Sequence, residues 1–233
     1  MPTIISINTS SDIASVALLH KGVVTTATHD GFSNHSMTVI PMLQKLLANA
    51  SLTVADCDAI AFGCGPGSFT GLRTACGIVQ GISFGIDIPV VPVVTLEAMA
   101  ESCRRKYGKN DVVPVLDARM HEVYWAEYAY KYGNWEIISV PQLSSASAVT
   151  NKNSVVYCGN GLSAYADDMK DIVINREQFL DIYPHAEDIA LLAEKKYLNK
   201  DYISSEMIQP LYLRNKVALK TAEREALKEN GHD

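Results

Sequence analysis

The sequence predicts an α/β protein of two lobes, each a strand meander carrying helices. Two observations predict it: one order of elements is written twice, and a glycine-rich turn joins an apolar run to a helical stretch. In the first half, Ile4–Ile7 reads as a strand, Asn8–Asp12 as a polar turn, Ala14–Leu19 as a second strand, and Val23–Thr28 as a third after Lys21-Gly22. Val112–Leu116, the turn Asp117–His121, Val123–Tyr130 and Trp135–Val140 repeat that plan. Each meander continues into a helix-rich stretch and a further short strand, Ala59–Phe62 in the first half and Val155–Cys158 in the second. Gly108-Lys109-Asn110-Asp111 reads as the loop between lobes, which places them at 1–107 and 108–233 and lets a C-terminal helix return to the first. With 233 residues, 48% of them apolar, the chain can bury a substantial core.

The segment from Ser36 to Ala50 carries Met37, Ile40, Leu43, Leu46, Leu47 and Ala50 at helical spacing, with Pro41 either in the first turn or kinking the helix. Further on, Phe62-Gly-Cys-Gly-Pro-Gly-Ser-Phe-Thr-Gly-Leu-Arg73 reads as a strand end, a tight turn and a helix over Leu72–Phe84. Backbone N–H groups in such a turn can hold an anion. A Walker loop, however, places Lys then Ser or Thr after its last glycine, where Ser68 and Phe69 stand, and the dinucleotide fingerprint lacks its third glycine. The same glycines also suit a plain turn with close helix–strand contact. In the helix, Gly77, Gly81 and Gly85 recur every fourth residue, beside a second small pair, Gly71 and Ala75. Each helical glycine costs roughly 1 kcal/mol relative to alanine, so a close-packed helix is expected in return, either the chain's own His35–Ala50 segment or a partner's.

Composition narrows the function classes. Twenty Lys and Arg against 26 Asp and Glu give a net charge of −6, which argues against an independent nucleic-acid binder; the C-terminal cations, Arg214 included, read as a solvated helix face. Cysteines 57, 64, 76, 103 and 158 form no Cys-x-x-Cys pair, so reduced thiols in a cytoplasmic protein are expected. The start reads as a strand rather than a signal, and no apolar run is long enough to span a membrane. Among chemistry-bearing residues, His121-Glu122 lacks the second histidine of a zinc protease, Cys64 has no identifiable base, and Ser68 lacks a nucleophile-elbow context.

Three separated runs, Gly65-Pro-Gly-Ser-Phe-Thr-Gly-Leu-Arg73, Asp117-Ala-Arg-Met-His-Glu-Val-Tyr-Trp125 and Pro210-Leu-Tyr-Leu-Arg-Asn-Lys-Val-Ala218, together resemble the bacterial TsaB (YeaZ) family. These are tRNA threonylcarbamoyladenosine-modification subunits, grouped with glycoprotease-like proteins, and the resemblance extends from the opening strand to Ala218. It implies the actin-like ATPase (ASKHA) superfold, whose plan the duplicated meander also fits. That fold carries an acid in its first turn to serve metal and phosphates, and the matching position here is Asn8, which lacks the charge. A vestigial nucleotide site is therefore expected around Thr9, Ser10, Gly65, Gly67, Gly159 and Gly161. The catalytic paralogue's metal-binding histidine pair is also incomplete, since His35 is followed four residues on by Val39.

The resemblance thus implies a non-catalytic subunit with no metal site or cofactor of its own, ATP and a metal being used by the assembled complex. Its implied partners are a TsaD-type transferase, a TsaE-type ATPase and, through the complex, tRNA; self-pairing as a homodimer is compatible with the shared fold. The implied interface comprises His35, Met37, Ile40, Leu43 and Leu47 on one helix with Leu72, Ala75, Gly77 and Gly81 on the other. The alternative is an independent actin-like enzyme, either an ATP-dependent small-molecule kinase or a glycoprotease-like peptidase.

Overall fold

The computed structural model describes residues 1–31, 35–150, 152 and 154–214. The first sheet contains β1 (Ile4–Asn8), β2 (Ile13–His20), β3 (Val23–Asp30), β4 (Ala59–Gly65) and β5 (Val90–Val94), in the order β3-β2-β1-β4-β5. The second contains β6 (Asp111–Asp117), β7 (Glu122–Lys131), β8 (Asn134–Ser145), β9 (Val156–Cys158) and β10 (Gln178–Phe179), in the order β10-β9-β6-β7-β8. Each sheet is an antiparallel three-strand meander extended by two parallel strands, so the duplicated plan holds. This is the actin-like α/β architecture.

Helix α1 (His35–Asn49) joins β3 to β4, α2 (Phe69–Ile86) joins β4 to β5, and α3 (Thr95–Tyr107) crosses to the second sheet. The short helices α4 (Gly161–Ala164) and α5 (Ala166–Val173) link β9 to β10, after which α6 (Ala186–Leu198) returns to the first sheet. Strand alternation decides which helix each face receives. Ile5 and Ile7 point toward Leu43, Leu47 and Val79 of α1 and α2, while Ile4 shares a core with Ile189 and Ala193 of α6. Ser6, on that second face, donates its hydroxyl to Ala186 O at 2.6 Å, and Ser15 Oγ accepts from Ala186 N at 2.9 Å, fixing the start of α6.

The glycine run departs from the expected tight turn. Gly63 and Gly65 belong to β4, which continues past Phe62 because β5 pairs alongside it, with a bulge between the two glycines. The turn is confined to 66–68, and α2 begins at Phe69 rather than Leu72, capped by Ser68 Oγ accepting from Gly71 N at 3.4 Å. No expected strand covers β5 or β10: the first carries Pro92 on a sheet edge, and the second is two residues long. The C-terminal helix expected beyond Arg214 lies outside the described residues. Among the described residues no helix is long and apolar enough to cross a membrane.

Helix α3 bolts the lobes together with charge. Buried Glu101 accepts from Trp135 Nε1 of β8 at 2.8 Å and from both ends of the Arg104 fork, at 2.7 and 3.1 Å. One turn on, Arg105 bonds Asp188 at 2.7 Å and Glu187 at 2.5 Å on α6. Burial raises the Asp188 carboxyl to about 6 even though Arg105 opposes the shift. Desolvation therefore dominates on the buried acid, while on the more exposed cation the two carboxylates prevail and raise Arg105. Because the folded pKa lies above the unfolded value, the contribution to stability is full below the unfolded pKa and is lost as pH rises through 6. Lowering pH from 7.5 to 5 is expected to stabilise the native chain by about 1 kcal/mol more than Asp188→Asn in urea titrations. A pH-independent difference between the two proteins would contradict this.

Candidate functional site

The ends of β1, β4, β6 and β9 converge on a cleft of about 330 Å³ between the lobes, lined by Ser10, Asp12, Ser68, Asp117, Asn160 and Arg214 among others. It contains or adjoins most of the expected vestigial site. Its polar groups are largely engaged with one another. Asn8, wholly buried, donates Nδ2 to Pro184 O at 2.8 Å, while its Oδ1 accepts the Ser10 hydroxyl at 2.8 Å. Thr9 Oγ1 donates to Gly71 O at 2.6 Å, and the Ser68 N–H donates to Ser10 O at 2.8 Å. The amide that could have met a phosphate thus serves the fold.

The glycines allow backbone to meet backbone. A Cβ on Gly67 would collide with Ser10 O, and one on Gly71 with Thr9 O. In the second lobe a Cβ on Gly159, whose φ is +111°, would collide with Val115 O, and one on Gly161 would lie 2.7 Å from Val115 Cγ1. Gly65, with φ +122°, brings its backbone against Leu211. Asn160 Oδ1 accepts the Asp117 N–H at 3.0 Å, joining the glycine turn of the second lobe to the end of β6.

Acid and base in the cleft are paired: Asp117 lies 3.0 Å from Arg119, and also accepts from Tyr165 OH at 2.8 Å. Burial raises the Asp12 carboxyl, with Arg119 and His35 opposing. Burial also pushes the Cys64 thiol up to about 12, which keeps it protonated at neutral pH. Among the described residues no group of three or more His, Cys, Asp or Glu side chains could hold a metal ion. With an amide at position 8 bound to a carbonyl, these residues do not fit the magnesium–phosphate pairing associated with the fold.

Two residues escaped the sequence reading. Arg214 is part of the cleft wall, not a solvated helix face: its guanidinium donates to Ala118 O at 3.1 Å and to Glu122 at 2.5 Å. Tyr212 stacks on Phe69, ring centroids 5.2 Å apart, and its hydroxyl accepts from Arg73 Nε at 3.0 Å. Their spacing in the Pro210–Ala218 run was visible, but their targets lie some 90 to 140 residues away.

Helices α1 and α2 cover the face of the first sheet opposite α6. His35, Leu43, Leu47, Leu72 and Ala75, expected at an interface, are buried within the lobe, because the apolar stripe of α1 covers its own sheet. Met37 is 71% exposed and Ile40 44%. Gly77, Gly81 and Gly85 face open space, with no atom within 4 Å of an added Cβ; α1 therefore does not supply the expected close packing. Phe84, 77% exposed, extends this uncovered surface.

The profile of the family described as "TsaD: tRNA N6-adenosine threonylcarbamoyltransferase" matches residues 4–222. Among curated proteins, the tRNA threonylcarbamoyladenosine biosynthesis protein TsaB of Haemophilus influenzae is 35% identical, over 94% of this chain and 96% of its own length. The Escherichia coli protein of that name is 34% identical, over 93% and 96%. Among solved structures, YeaZ from Pseudomonas aeruginosa superposes with a TM-score of 0.83 at 32% identity, covering 90% of this chain and all of that one.

Replacing Asn8 by Asp would set a carboxylate against the Pro184 carbonyl in a site without water access. Asn8→Asp is expected to lower unfolding free energy by about 2–3 kcal/mol in urea titrations at neutral pH. An unchanged midpoint would show that the amide is not structural.

Proposed function

Because this chain belongs to the TsaB family, within the broader threonylcarbamoyltransferase family, we propose that it is a non-catalytic subunit of the machinery that places threonylcarbamoyl on tRNA adenosine next to the anticodon. In this reading it binds and activates a TsaD-type transferase and supports assembly with a TsaE-type ATPase. The observation that carries the proposal is the uncovered glycine face of α2, together with the exposure of Met37, Ile40 and Phe84. Three helical glycines without a packed neighbour forgo roughly 1 kcal/mol each relative to alanine, a deficit that a closely docked partner helix offsets. The transferase, built on the same superfold, can present equivalent helices, and a second copy of this chain can compete for the same face as a homodimer.

The cleft supports the non-catalytic part of the reading. Asn8, the Ser68 amide and the glycine approaches are committed to internal contacts, so ATP and metal are assigned to the assembled complex rather than to this chain. Its acidic balance assigns most of the tRNA grip to the other subunits.

Gly81→Arg provides the test, since open space at Gly81 lets the fold accept the side chain. Circular dichroism is expected to stay native while affinity for the TsaD-type transferase falls by about 100-fold or more. A natively folded variant that still co-elutes with the transferase would place the interface elsewhere.

A further inference from the structure

The segment from Ile203 to Arg214 runs as a strap from the outer edge of the first sheet to the second lobe. Ile203 exchanges backbone hydrogen bonds with Val90 of β5 at 2.8 and 2.9 Å, and Gln80 Nε2 of α2 donates to Ser205 O at 3.2 Å. Leu211 N–H then donates to Cys64 O at 2.7 Å, just where Gly65 admits the Leu211 backbone. Tyr212 follows, stacked on Phe69 in the first turn of α2, with the Arg73 guanidinium 3.9 Å above the same Phe69 ring. Two residues later Arg214 reaches across the cleft.

Its target is a turn whose shape calls for support. Arg119, Met120 and His121 all adopt left-handed backbone conformations, with φ of 64°, 57° and 58°, an unusual run for residues with side chains. Arg214 collects this turn through Ala118 O, Arg119 O, the Met120 sulfur and the Glu122 carboxylate, at 2.5 to 3.3 Å. Within the turn, Ala118 N–H donates to Glu122 O at 3.0 Å, Glu122 N–H to Arg119 O at 3.1 Å and Arg119 N–H to Asp117 Oδ1 at 2.7 Å. Four contacts from one side chain make Arg214 the fastening of the strap to this turn.

We propose that residues 211–214 form an interlobe latch, with Arg214 as its catch, that couples closure of the cleft to the first turn of α2. Release of Arg214 frees the 119–121 turn, and the same movement disturbs Tyr212 on Phe69. A protein docked on α2 and a change in the cleft therefore act on each other through four residues. The coupling half rests on the docking reading above; the latch half does not.

The experiment uses the full chain with Arg214→Ala and, should that variant fold poorly, Arg214→Lys, which keeps the charge but loses the planar fork. Hydrogen exchange is followed at the amides of Ala118 and Glu122, and affinity for the TsaD-type transferase is measured by calorimetry. The latch predicts exchange faster by about five-fold or more at both amides, with β1 and β4 unaffected. Unchanged exchange in a folded Arg214 variant overturns it. Coupling predicts that the same variant binds the transferase about five-fold or more weakly. Equal affinity for variant and native chain overturns the coupling alone, whereas a native chain that does not bind overturns the docking reading and the coupling together.

Discussion

Contact of backbone with backbone at the two glycine turns is the constraint on which the rest of this structure depends. Gly67 and Gly71 let the β4–α2 junction lie against Thr9 and Ser10, and Gly159 and Gly161 let the β9–α4 junction lie against Val115. These are equivalent places in the two halves of a duplicated topology. Any side chain at these positions forces a turn outward and moves a wall of the cleft. Once the turns are seated, Asn8 finds Pro184, Ser68 finds Ser10 and Asn160 finds Asp117. The polar groups of the cleft are then largely paired with one another.

The same constraint directs α2. Its first turn is fixed by Gly71 and Leu72 against the interior, so its small-residue face with Gly77 and Gly81 must point away from the lobe. Alanine at Gly77, Gly81 or Gly85 would be sterically harmless within this chain, so the fold does not require those glycines. The docking proposed for this face gives them a physical reason. The inner side is closed by α3 and α6, whose charged contacts are bonded across both lobes.

Legibility in the sequence followed the range of the interactions. Both meanders could be read because strand alternation and polar turns are local signals, and the resulting strand pairing matches in both lobes. The glycine stripe of α2 was legible from spacing, whereas the absence of α1 from that face is a matter of packing. Leu43 and Leu47 show the converse: a helical stripe identifies an apolar face without saying whether it meets the chain's own sheet or another protein. Arg214 was hidden for a third reason. Among interleaved charges it resembles a solvated cation, and only the three-dimensional path from Leu211 brings it to the carbonyls of Ala118 and Arg119.

The central claim is that this chain is an indispensable, non-catalytic subunit in threonylcarbamoyl transfer to tRNA. The most direct measurement combines a TsaC-type adenylate-forming enzyme, TsaD- and TsaE-type proteins, ATP, bicarbonate, labelled threonine and unmodified tRNA, with and without this chain, and counts label in tRNA. Label that depends on the chain is the predicted result; equal label in its absence would contradict the account.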